Sequence, residues 1–157
     1  MENKTQIHES NEQSVNATPF EEFYANIYPF WLWVAVNPSF EEFSNRFVNL
    51  DWNMRDTHEF DKETYERNRF ITGVTSIVKE RESERWGAVV RLTNPKHLSS
   101  GFLAHEASHI CDFMCDTFEI GGFTYELGEP RAYICGWVAD CIEEALKRIE
   151  NGKSKEQ

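Results

Sequence analysis

The chain contains no Cys-x-x-Cys pair; its cysteines stand at positions 111, 115, 135 and 141. That spacing argues against a structural zinc ribbon. Cys111 and Cys115 fall on one helical face, and Cys135 and Cys141 belong to another apolar helix, where cysteine behaves as a small hydrophobe in a reducing compartment. Basic residues are scarce as well: 16 Lys and Arg stand against 27 Asp and Glu, for a net charge of −11. Nucleic acid and anionic membrane surfaces both reward cationic patches, so this balance speaks against either partner. No apolar run is long enough to span a bilayer; residues 28–36 fall well short of the roughly 20 that a helix needs. Residues 1–16 lack the apolar centre of a signal peptide, which makes the cytoplasm the expected location. No internal repeat and no second domain is visible.

What the chain does have is aromatic bulk. Twelve Phe, five Trp and five Tyr in 157 residues supply a core that needs neither metal nor disulfide as a staple. The polar stretch 1–18 reads as a disordered leader, 19–147 as one domain and 148–157 as a charged, fraying tail. Phe20, Phe23 and Tyr24 suggest a short helix. Residues 30–36, aromatic and β-branched between Pro29 and Pro38, read as a strand buried on both faces. Ser39 and Glu42 form a capping box, and Phe40, Phe43 and Phe47 carry a helix to about Val48. Residues 51–69 form a loop with one helical turn near Thr64. The runs 70–78 and 85–93 read as a hairpin, the second with one buried and one partly open face. The expected fold is α+β: a small three-stranded sheet packed on a helix from Ser99 or Ser100 and on a C-terminal helix with Pro130 in its first turn.

The first of these two helices carries His105-Glu106-Ala107-Ser108-His109, an H-E-x-x-H pattern. Residues four apart share a helix face, so both imidazoles can reach one metal ion. Glu106, about 100° further round the helix, is poorly placed as a ligand but well placed to hold a reacting water. The competing explanation is a helix that carries these residues by accident. A catalytic zinc site commonly uses three protein ligands and leaves a fourth position open.

The chain resembles the gluzincin group of zincin-type zinc metallopeptidases, some small bacterial and phage-encoded members of which are little more than the core. The resemblance covers roughly residues 70–147. It implies a Zn²⁺ ion held by His105, His109 and a glutamate from the following helix, for which Glu129 has the expected spacing. Glu126 and Glu119 remain alternatives. It further implies hydrolysis of a peptide bond by zinc-activated water, with Glu106 as general base. Where gluzincins of the thermolysin type carry an aspartate four residues after the ligand glutamate, this chain has Tyr133; Asp112 is the candidate to accept a histidine N–H instead. Tyr125, Tyr133, His97 and Arg91 are candidate donors to the developing oxyanion. The metzincin pattern is excluded, because Asp112 and Cys115 occupy its glycine and third histidine positions. A peptide or protein substrate is expected along an exposed edge strand, for which the run from Trp86 to Leu92 is the candidate. The alternative function is a non-catalytic protein of this fold serving as a structural or protein-binding component.

Overall fold

The computed structural model describes residues 18–51, 53–93, 95, 98–121 and 128–154. Strands β1 (Phe20–Tyr24), β2 (Trp31–Val36), β3 (Phe47–Leu50), β4 (Thr57–His58), β5 (Gly73–Glu80) and β6 (Trp86–Leu92) form one sheet in the order β1-β2-β6-β5-β3-β4. The three-stranded expectation is therefore corrected to a mixed six-stranded sheet, although the α+β class stands. β2 pairs parallel to β6, and every other pairing is antiparallel.

Period-two alternation divides β2 between two cores. Leu32, Val34 and Val36 join Ala88, Val90 and Leu92 on the face covered by α3 (Ser100–Thr117) and α4 (Glu129–Ser154). Trp33 and Ala35 join Val78 and Val89 on the face covered by α1 (Phe40–Arg46) and α2 (Lys62–Arg67). Phe30, Trp33, Phe43, Phe47 and Phe113 are essentially inaccessible to solvent. Burial of one such side chain stabilises by about 1.5–3 kcal/mol. Gly87 is required where β2 passes β6, because a Cβ there would lie 1.8 Å from the Trp31 carbonyl oxygen.

Several local expectations hold. The Ser39–Glu42 capping box is present in both directions, Ser99 caps α3 by accepting from the Phe102 N–H, and the turn near Thr64 is α2, capped by Asp61. Others change. Phe20, Phe23 and Tyr24 lie on a strand. α1 stops at Arg46, and α4 continues to Ser154 through much of the expected tail. β6 is buried along nearly its whole length between β2 and β5, so it is neither an edge nor open on one face. None of the helices among the described residues is long and apolar enough to cross a membrane.

Candidate active site

α3 lies across the sheet with Ala107, Ile110, Cys111 and Met114 in the core. This orientation leaves His105 and His109 exposed on one flank and carries Glu106 under the sheet at 4 % exposure. The two Nε2 atoms stand 3.0 Å apart. Glu106 Oε2 accepts a 2.5 Å hydrogen bond from Thr75 Oγ1 on β5. Among the described residues no buried side-chain nitrogen or oxygen lacks a partner, so the second oxygen of Glu106 keeps solvent contact. His105, Glu106 and His109 line one cleft with Gly73, Val74, Thr75 and Ile77 of β5 and with Asn68.

The wall of this cleft is a strand edge left unpaired among the described residues. β3 pairs with β5 only at Val78, Lys79 and Glu80. From Gly73 to Ile77 the other side of β5 has no paired strand among the described residues. An extended peptide has there the backbone donors and acceptors that strand addition uses. Among the described residues the unpaired edge is thus the first half of β5 rather than β6.

The remaining candidates lie elsewhere. Glu129 borders a separate apolar groove with Met114, Pro130, Tyr133 and Trp137, and Tyr133 is largely exposed there. α4 packs on the Cys111 side of α3, where the Cys111 thiol donates to the Arg131 carbonyl at 3.1 Å. That side of the helix faces away from the imidazoles, so the structure does not bring Glu129 or Tyr133 to them. Asp112 pairs with Arg131 at 2.5 Å instead of holding a histidine. Glu119 borders a concavity with Asp112 and Arg131. Arg91 faces the opposite side of the sheet, against Tyr65. Tyr125, Glu126 and His97 lie outside the described residues.

Of the three protein ligands that a catalytic zinc commonly takes, the cleft brings together two, the His105 and His109 imidazoles. No group of three or more His, Cys, Asp or Glu that could hold a metal exists among the described residues. Thr75 was not singled out by sequence reasoning. It sits in an ordinary β-rich run, and only the packing of α3 on β5 reveals its partner. Comparison with protein families, curated proteins and solved structures finds no match to this chain.

Proposed function

We propose that this chain is a zinc-dependent hydrolase of the H-E-x-x-H kind, resembling the gluzincins and acting in the cytoplasm on a peptide extended along β5. The observation that carries the reading is the convergence of three features. The His105 and His109 Nε2 atoms are 3.0 Å apart, the Glu106 carboxylate lies in the same cleft, and that cleft borders an unpaired strand edge. His105 and His109 would hold the ion, which when bound supplies a Lewis acid for water and for the substrate carbonyl. Glu106 is the proton carrier: its solvent-touching oxygen takes a proton from the attacking water and returns it to the leaving amine. Thr75 fixes the other oxygen and so limits the carboxylate to one orientation. The open edge between Gly73 and Ile77 aligns the substrate backbone.

Metal analysis after exposure to zinc and desalting should give about one ion per chain, as expected of a single tetrahedral site. His105→Ala and His109→Ala should each lose it. Glu106→Gln should keep the metal and lower hydrolysis of a fluorogenic peptide mixture by about 10²–10⁴-fold. A chain that takes up no zinc would sink this reading. The unpaired edge of β5 serves equally a second reading, a non-catalytic protein that binds a peptide there without a metal. Peptide binding without zinc uptake by the intact chain would select it.

A further inference from the structure

The two faces of β5 differ in charge. Thr75 points toward Glu106, while Val74 and Ser76 point to a cavity of about 260 Å³ on the α1/α2 side, bordered also by Asn49, Tyr65 and Arg91. Arg91 is only 4 % exposed. Its guanidinium carbon lies 3.7 Å from the Tyr65 ring centroid, and Nη1 donates to the Tyr65 carbonyl at 3.2 Å. No carboxylate among the described residues lies within ion-pair distance of it. Two acids also line the cavity: Asp61 accepts the Thr64 N–H at 2.7 Å, and Glu59 pairs with Arg81. The Arg91 side chain, held by Tyr65, thus borders the cavity with no counter-ion among the described residues.

We propose that this cavity is a specificity subsite that takes the side-chain carboxylate of an Asp or Glu in a peptide laid along Gly73–Ile77. The proposal rests on the reading of that edge as the substrate strand. Successive side chains of an added strand point to opposite faces of the sheet. A residue whose side chain lies on the Glu106 side therefore has neighbours that reach the Arg91 side. Arg91 pairs in register with Val74, one position from Thr75, so the two chemistries are separated by about 3.3 Å along the strand. The cavity and the histidine cleft are neighbours on either side of the edge, for Asn68 and Val74 border both. The net charge of −11 repels an acidic peptide at long range. That field is screened beyond about 10 Å in ordinary salt, whereas the guanidinium–carboxylate contact is local and partly desolvated.

The test uses full-length Glu106→Gln protein, which binds without turnover, and calorimetric titration with acetylated, amidated (Thr-Glu)₄ and (Thr-Gln)₄. The glutamate peptide should bind about tenfold tighter or better, the effect of one charge-assisted hydrogen bond. Arg91→Gln should reduce that ratio to near one, and Arg91→Lys should restore part of it. The Glu/Gln ratio itself is measured with Arg91 intact and does not depend on how a variant folds. Equal affinities would overturn the subsite while leaving strand binding in place. Tight binding of (Thr-Gln)₄ bearing a free C-terminal carboxylate, at the level of the glutamate peptide, would also overturn it, by assigning Arg91 to chain ends. Binding of neither peptide would remove both the subsite and the strand it rests on, and zinc content would then decide whether a metal site survives.

Discussion

Glu106 and Glu80 are the two buried carboxylates of this molecule's described residues, at 4 % and 6 % exposure, and their surroundings are opposite in kind. Glu80 ends β5 on the α1/α2 face within an ion cluster. Arg46 Nε reaches one of its oxygens at 2.9 Å, Arg85 Nε reaches the other at 2.8 Å, and Ser83 adds a short hydrogen bond. Both guanidinium groups also bind Glu22, and Arg85 lies 4.1 Å above the Trp31 ring. Glu106, on the other face, has the Thr75 hydroxyl and no ion pair. A buried charge that is paired and hydrogen-bonded belongs to the architecture. One with a single neutral partner contributes little to the architecture, and on the function proposed above it is retained as a proton carrier.

The largest expected difference is in stability. Glu80→Gln leaves two half-buried guanidinium groups short of a partner and should cost about 2–3 kcal/mol in chemical denaturation, the scale of hydrogen bonds to charged groups. Glu106→Gln breaks no ion pair and keeps an oxygen that can still accept from Thr75, so without metal it should stay within about 1 kcal/mol of the parent. Equal losses in the two variants would erase the distinction drawn above.

A smaller effect appears with acid. Burial acts to raise the Glu80 carboxyl, but Ser83, Arg85 and Arg46 outweigh it and hold the group below the ordinary carboxylate range. Glu22 is likewise lowered, against its burial, chiefly by Arg85. A lowered folded value gives stability that is fully present above the unfolded value and is lost as pH falls through the folded one. Denaturation midpoints should therefore decline below about pH 4.5, and Glu80→Gln should flatten that decline. A decline of unchanged steepness in the variant would show that the cluster is not its source.

The Glu106 side of this contrast was legible in the sequence and the Glu80 side was not, and what was hidden follows from packing direction. The H-E-x-x-H spacing, the Ser99 cap and the Ser39–Glu42 box are local, and each appears as expected. Phe20 and Phe23 imitate a helical spacing, yet they serve opposite faces of β1, one in each core. Phe43 and Phe47 keep the contact of an i,i+4 pair, 5.5 Å between ring centroids, although the helix ends between them. The twenty positions from His109 to Glu129 measure chain length alone. Which flank of α3 receives α4 is decided by the apolar surface of Cys111 and Met114, and that flank lies away from the histidines. The edge at β5 was equally hidden, because β2 was recognisable as a buried strand but its parallel pairing to β6 was not.

The smallest effect tests Glu106 from its partner's side. Thr75→Val conserves shape and removes only the hydroxyl that holds the carboxylate at 2.5 Å. It should cost about 1 kcal/mol of stability, the net worth of one such bond. If Thr75 orients a working base, the same change should lower kcat several-fold and leave KM nearly untouched, because in the proposed function the backbone of β5 would bind the substrate while the hydroxyl acts on the carboxylate alone. Thr75→Ser keeps the donor and should restore kcat. A stability loss with kcat unaltered would make the Thr75–Glu106 bond architectural, and Glu106 would then differ from Glu80 only in having fewer partners.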